Sequence, residues 1–123
     1  MLQKTILIIE DSIDLADSLE DVLLLKGYRP LKASDGKTGL DLALIEKPDL
    51  ILLDLRLPDI DGVEIINKLR SDAWGKNARI IIITASDINE KMLSDVNIVA
   101  SDVIHKSRSS ITDIVLRVEK ELM

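Results

Sequence analysis

The sequence predicts an α/β domain in which helices cover both faces of a five-stranded parallel sheet. Short apolar runs alternate with longer amphipathic stretches along the whole chain, which is the pattern of repeated strand–helix units. Three runs, Thr5–Ile9, 50–53 and 80–83, are apolar on both faces, as expected for strands in the middle of a parallel sheet. Because 123 residues suffice for one core, we interpret residues 1–123 as a single domain.

Two further runs have the properties of edge strands. Residues 28–33 (YRPLKA) contain Pro30, which lacks the N–H that an inner strand donates, and residues 101–105 (SDVIH) are short and polar at both ends. Edge positions for the second and fifth strands fit the flavodoxin-like, doubly wound (βα)5 order 2-1-3-4-5. In that order, a ligand is expected outside the carboxyl ends of the strands, between strands 1 and 3.

Five helices are predicted, beginning near residues 13, 36, 61, 86 and 111. Gly27 suits a position just past the end of the first helix. The fourth, from residue 86 to about residue 94, is the weakest because only Ile88 and Met92 repeat at helical spacing. The last has the clearest apolar stripe, formed by Ile111, Ile114, Val115, Val118 and Leu122.

The composition argues against several classes of function. With no cysteine, one histidine, one tryptophan and one tyrosine, the chain lacks the residues for thiolate sites, imidazole cages and base-stacking platforms. The net charge of −6 and the scattered basic residues argue against direct nucleic-acid binding by this domain. No apolar run approaches the roughly 20 residues of a transmembrane helix, and the first residues lack a secretory cleavage pattern. We therefore expect no membrane association and a cytoplasmic location.

Four predicted strands end in groups that bind cations or phosphates. Glu10 and Asp11 follow the first strand, Asp54 the third, Thr84 the fourth and Lys106 the fifth. Three carboxylates roughly 5 Å apart would repel one another by about 3 kcal/mol per pair at an effective dielectric constant near 20, so a cation must compensate. Oxygen ligands with room for waters and a phosphate are typical of Mg²⁺ rather than of Zn²⁺ or a closed Ca²⁺ site.

Each of these residues also has an ordinary structural explanation. Asp11 or Ser12 could cap the first helix, and Asp54 could simply open a loop. Thr84 could pack within its strand, and Lys106 could be a solvated lysine. The prediction of a site depends on all of these residues together, because four independently identified strands end in chemically compatible groups at one edge of the sheet.

Related phosphate chemistries require residues that this chain does not have. Neither G-x-G-x-x-G nor G-x-x-x-x-G-K-[ST] follows the first strand, which disfavours nucleotide binding and flavodoxin-type functions. A phosphatase of the haloacid dehalogenase type has a second Asp two residues after its nucleophile, and here Arg56 stands at that position. Multi-turnover hydrolysis is therefore not expected.

Four motifs in a fixed order carry a resemblance to a known family. They are ILIIEDS at 6–12, DLILLDLRLPDIDGVEIINKLR at 49–70, IIITAS at 81–86 and Lys106. With these motifs the chain resembles the receiver domain of two-component response regulators, the CheY-like superfamily, over essentially all its length. The resemblance implies a phosphoacceptor domain rather than an enzyme, with at most slow autophosphorylation and autodephosphorylation.

The resemblance also assigns roles at the site. It implies that Asp54 accepts a phosphoryl group from the phosphohistidine of a sensor histidine kinase or a phosphotransfer protein. The implied Mg²⁺ ligands are Glu10, Asp11, Asp54 and the backbone carbonyl of Arg56. The implied phosphoryl contacts are Thr84 and Lys106. The signal would pass through a face built from the predicted fourth helix, the fifth strand and the last helix to an unidentified downstream protein or output domain. The implied state is a monomer or a weak phosphorylation-dependent dimer.

Two positions depart from the family pattern. Val103 stands where the family usually has a Tyr or Phe that acts as a rotating switch, and Ser107 stands where Pro is usual, commonly after a cis bond. Because a cis bond without Pro costs about 2.5 to 4 kcal/mol, we expect a trans peptide and an altered loop at Ser107. These departures favour an alternative hypothesis, a receiver-like protein-binding module that works without phosphorylation, whereas the intact acidic site opposes it.

Overall fold

The computed structural model describes residues 3–85 and 102–123, which contain the five strands of one parallel sheet. The strands are β1 (Thr5–Ile9), β2 (Arg29–Ala33), β3 (Leu50–Asp54), β4 (Ile80–Thr84) and β5 (Asp102–His105). Their order is β2-β1-β3-β4-β5, and all four neighbouring pairs are parallel. The predicted fold class, strand order and edge strands are therefore confirmed.

The described residues form four α-helices, and each begins after a side chain that accepts a backbone N–H. They are α1 (Ile13–Leu25), α2 (Gly36–Glu46), α3 (Gly62–Arg70) and α4 (Ile111–Leu122). Their N-caps are Ser12, Asp35, Asp61 and Ser110. The predicted helix at 86–94 lies outside the described residues. None of the described helices is long and apolar enough to span a membrane.

The end of α1 agrees with its sequence signal. Gly27 has a φ of +91°, a left-handed conformation that glycine adopts without the steric cost of a Cβ atom. Its N–H donates to the carbonyl of Leu24, and the N–H of Tyr28 donates to that of Leu23, both at 3.0 Å. These bonds satisfy carbonyls that the end of a helix leaves unpaired, and they turn the chain into β2.

The core has two layers because alternate residues of each strand point to opposite faces of the sheet. In β1, Ile6 and Ile8 pack towards α1 and α4, whereas Leu7 and Ile9 pack towards α2 and α3. The side chains of β1, β3 and β4 are almost entirely buried, which explains their uninterrupted apolar runs. With helices on both faces, the ends of the strands are where polar side chains can gather.

Two strands are longer at their carboxyl ends than the apolar runs indicated. Pairing continues through Asp54 in β3, opposite Ile83, and through Thr84 in β4, opposite His105. Both polar residues are therefore held by the sheet itself. The sheet thus fixes their backbone positions more firmly than a loop would.

The chain beyond β5 begins with a short 3₁₀ turn over Lys106–Arg108. The peptide bond between Lys106 and Ser107 is trans, as expected for a bond that does not precede proline. The predicted trans bond is confirmed, and Lys106 lies at the junction of the strand and the turn.

Candidate functional site

The carboxyl edge of the sheet brings three acidic side chains together. Glu10 and Asp11 directly follow β1, and Asp54 is the last residue of the neighbouring strand β3. One carboxylate oxygen from each lies within 4.8 Å of the others. Glu10 and Asp54 are buried, with 1% and 3% of their surface exposed, whereas Asp11 is exposed. The cluster is therefore open to solvent on the side of Asp11.

Lys106 reaches this cluster from β5, two strands away from Asp54. Its Nζ lies 3.2 Å from Asp54 Oδ2, to which it donates a hydrogen bond, and 2.5 Å from Glu10 Oε1. The latter is an ion-pair contact without hydrogen-bond geometry. The Lys106 side chain is 20% exposed. One ammonium therefore bridges both buried carboxylates.

Backbone amides orient the two buried carboxylates. The N–H of Ser12 donates to Glu10 Oε2, and the N–H of Arg56 donates to Asp54 Oδ1, each at 3.0 Å. The other oxygen of each carboxylate faces Lys106. Sequence reasoning did not identify these two donors, because every residue except proline has a backbone N–H and the side chain gives no signal of its use.

Of the two residues that could cap the first helix, only Ser12 does so. Ser12, not Asp11, is the N-cap of α1, and its Oγ accepts the N–H of Leu15 at 3.4 Å. Asp11 is thus left for the acidic cluster. The sequence alone left both residues as candidate caps.

Thr84 and Arg56 lie at the carboxyl ends of β4 and β3, on the same edge of the sheet as the cluster. Thr84 is 1% exposed and ends β4, the strand between those that carry Asp54 and Lys106. Arg56 stands two residues after Asp54, and its side chain is exposed. Its backbone forms an isolated bridge with Asp61 across the loop between β3 and α3. All the predicted site residues therefore belong to this end of the sheet.

Burial and mutual contacts shift the pKa values in the cluster. Burial raises the pKa of Glu10 to about 7, although the contact with Lys106 opposes this shift. A hydrogen bond with the Glu10 carboxyl lowers the pKa of Asp11 below its ordinary value. Burial disfavours the charge on Lys106, but contacts with Glu10 and Asp54 outweigh it and raise the pKa of the ammonium. The cluster therefore favours additional positive charge.

The donor set is suited to a hard divalent cation. The three acidic side chains offer only oxygen ligands, which Mg²⁺ prefers, and the exposed side of the cluster leaves space for water. One ammonium cannot neutralise three ionised carboxylates. A cation next to Asp54 would relieve the remaining repulsion and provide a counter-charge for a phosphate group.

Comparison with known sequences shows a match to one family over most of the chain. Residues 6–119 match the model of the response regulator receiver domain. The chain is 42% identical over 101 residues to response regulator ArlR of Staphylococcus aureus, covering 82% of this chain and 45% of ArlR. It is 36% identical over 85 residues to sporulation initiation phosphotransferase F of Bacillus subtilis, covering 69% of this chain and 67% of that protein. The chain thus spans less than half the length of ArlR.

Comparison with solved structures gives the same result. A CheY-like response regulator receiver domain protein from Methanospirillum hungatei has a TM-score of 0.88 and 26% identity, with coverage of 98% of this chain and 94% of that one. A response regulator from Chloroflexus aurantiacus has a TM-score of 0.85 and 28% identity, with 97% of each chain covered. The chain therefore belongs to the receiver domains of two-component response regulators, the phosphoacceptor domains of these signalling systems.

Proposed function

We propose that Asp54 is the phosphoacceptor of this receiver domain. The observation that carries the proposal is the buried Asp54 carboxylate, held by the Arg56 amide on one oxygen and by Lys106 on the other, inside an acidic cluster. In the transfer, an Asp54 oxygen forms a bond to phosphorus while the bond from phosphorus to the donor's histidine nitrogen breaks. The donor is the phosphohistidine of a sensor histidine kinase or a phosphotransfer protein.

We propose that Mg²⁺ binds beside the acceptor. Receiver domains bind Mg²⁺ at an acidic pocket, and the cluster of Glu10, Asp11 and Asp54 can hold a metal. The proposed ligands are these three residues and the backbone carbonyl of Arg56. When bound, Mg²⁺ supplies positive charge to the transferring phosphoryl oxygens.

Lys106 and Thr84 are proposed to contact the phosphoryl group. Lys106 already lies 3.2 Å from the Asp54 carboxylate, so its ammonium can follow the added negative charge without a large movement. Thr84 offers a hydroxyl from the strand between them. Phosphoryl transfer requires mainly positioning and charge neutralisation, which these groups supply.

The receiver domain is a signalling phosphoacceptor and not a classical enzyme. We propose that residues 1–123 act as one such domain in the cytoplasm, with slow autophosphorylation and autodephosphorylation at most. The partners are a kinase or phosphotransfer protein and a downstream protein or output domain, reached through β5, α4 and the segment at 86–94. The proposed state is a monomer or a weak phosphorylation-dependent dimer without direct nucleic-acid or membrane binding.

Intact-mass measurement after incubation with acetyl phosphate and Mg²⁺ tests the acceptor. We expect one phosphoryl adduct, which is absent in Asp54→Asn and retained in the control Asp41→Asn, because Asp41 lies on the exposed surface of α2. An adduct that persists in Asp54→Asn would refute the assignment. A wild-type chain that folds and binds Mg²⁺ but gains no adduct would favour the phosphorylation-independent binding module. Rapid release of phosphate would favour a hydrolase.

A further inference from the structure

We propose that Asp59 is a positioning residue for the metal site, because it ties the loop between β3 and α3 to the first turn of α2. This loop carries Arg56, whose carbonyl is one of the proposed Mg²⁺ ligands, so the inference depends on the proposed function. Asp59 itself does not belong to the acidic cluster. It would act on the metal through the loop backbone.

The tie consists of two hydrogen bonds to one carboxylate. Asp59 Oδ1 accepts the N–H of Gly36 at 2.7 Å, and Oδ2 accepts the N–H of Lys37 at 2.9 Å. These bonds also hold the pKa of Asp59 below its ordinary value. A carboxylate that engages both oxygens is fixed in orientation as well as in position. The contact therefore restrains the backbone of the loop relative to α2.

These bonds add to a cap that α2 already has. Asp35 accepts the N–H of Thr38 at 2.7 Å with its side chain and that of Gly39 at 3.1 Å with its carbonyl. The two carboxylates together satisfy three N–H groups, those of Gly36, Lys37 and Thr38, that the start of a helix leaves unpaired. Asp35 is adjacent to the helix, whereas Asp59 lies 22 residues beyond Lys37, whose N–H it accepts. The contribution of Asp59 is therefore a tertiary link between the loop and the first turn of α2.

The base of the same loop is closed by separate contacts. The N–H of Gly62 donates to the carbonyl of Leu55 at 3.0 Å, and Arg56 is bridged to Asp61. Arg56 thus belongs to the closed base, and Asp59 anchors the tip that extends from it. Release of the tip should allow the Arg56 backbone to move relative to Asp54, whose carboxylate its amide now holds.

The packing at Gly36 shows how closely the start of α2 approaches the loop. A Cβ atom at this position would lie 2.8 Å from Ile65 Cδ1, 3.2 Å from Asp59 Oδ1 and 3.2 Å from Ile60 Cβ. Contacts this short leave little space for the loop to shift towards α2. The absence of a side chain at Gly36 therefore permits the short bonds to Asp59.

The test compares two carboxylates at the same helix end. Asp59→Ala and the matched control Asp35→Ala each remove one carboxylate from the start of α2, but only the first releases the loop. Asp59→Asn keeps one acceptor oxygen and serves as the conservative variant. Titration calorimetry with MgCl₂ gives the Kd, and amide hydrogen exchange of the metal-free protein reports the Arg56 N–H. Urea unfolding measures the stability of each variant.

We expect Asp59→Ala to weaken Mg²⁺ binding about tenfold, within the range for loss of an outer-shell partner at a metal site, and to speed exchange at Arg56. Asp59→Asn should show a smaller effect, and Asp35→Ala should lose stability while its Kd and Arg56 exchange stay near wild type. Equal Kd and exchange rates in wild type and Asp59→Ala would overturn the proposal, as would equal changes in both alanine variants. If wild type binds no Mg²⁺, the proposed function fails instead, and exchange at Arg56 alone decides whether Asp59 positions the loop.

Discussion

At the scale of single residues, burial of Glu10 controls the electrostatics of the site. Glu10 is almost completely buried, and within the described part of the chain the Lys106 ammonium and the Ser12 amide compensate its charge. Desolvation dominates, so its pKa rises to about 7. Near neutral pH, a metal must therefore compete with a proton as well as with the ammonium.

We predict that Glu10 makes the metal-free protein less stable as pH rises. Because its folded pKa is raised from 4.5 to about 7, its contribution is fully present below pH 4.5 and is lost between pH 4.5 and about pH 7, where the unfolded state binds fewer protons. Urea unfolding in a chelator would measure this for wild type and Glu10→Gln. The free energy of unfolding of wild type relative to the variant should fall across that range. A constant difference would contradict the assignment.

We predict that Asp11→Asn weakens Mg²⁺ binding by more than about tenfold, because it removes a charged ligand and not merely an outer-shell partner. Calorimetry would measure the change.

Trp74 lies between α3 and β4 and lines a surface pocket with Lys4, Asp49 and Arg79, which precede three strands at the opposite edge of the sheet. Its emission should therefore hardly respond to Mg²⁺ in either protein. A large quench in wild type would contradict the position of Trp74 or of the metal.

At the scale of secondary-structure elements, the helices depend on local polar contacts at their ends. The start of α4 is a capping box, in which Ser110 Oγ accepts the N–H of Asp113 at 3.1 Å and Asp113 Oδ2 accepts the N–H of Ser110 at 3.0 Å. The buried side of α4 packs onto the sheet with α1. The cap thus fixes where the last helix begins, just after the turn that carries Lys106.

We predict that Ser110→Ala lowers the free energy of unfolding by about 1 kcal/mol, the usual cost of an N-cap. Urea unfolding of wild type and the variant would give the difference. Ser109→Ala is the matched control, because its hydroxyl takes no part in the cap. Equal losses in both variants would show that the capping bond is not the cause.

At the scale of the whole molecule, phosphorylation can shift a conformational equilibrium only by as much as its contacts differ between the two states. Val103 is half-buried and packs against the layer that contains α2 and α3. Its side chain is smaller than the Tyr or Phe that receiver domains usually have at this position. A movement of Val103 therefore vacates little space for other side chains. The response of β5 should be correspondingly small.

We predict that the phosphoryl mimic beryllofluoride leaves hydrogen exchange at Val103 and Ile104 nearly unchanged. The largest change in exchange should occur in the segment at 86–94, which lies outside the described residues and has the weakest helical pattern. Asp54→Asn, treated in the same way, provides the control for effects unrelated to the acceptor. Strong changes centred on Val103 and Ile104, with the segment at 86–94 unaffected, would contradict the prediction.

The sequence alone determined the sheet and the edge that carries the site. Apolar runs such as Thr5–Ile9 identify inner strands because both of their faces are buried, and Pro30 marks an edge because it lacks an N–H. Gly27 indicates the end of the first helix through chemistry that acts over a few residues. These signals are local, so the sequence was sufficient to predict them.

Only the tertiary structure decided which polar groups touch. Lys106 is 52 residues from Asp54, yet it bridges that carboxylate and Glu10, and Asp59 reaches an amide at Gly36 that is 23 residues away. The division of roles between Ser12 and Asp11 also appears only when the helix start is built. Such contacts depend on strand register, helix placement and side-chain conformation together, because hydrogen bonds form only within a few tenths of an ångström of their preferred distance.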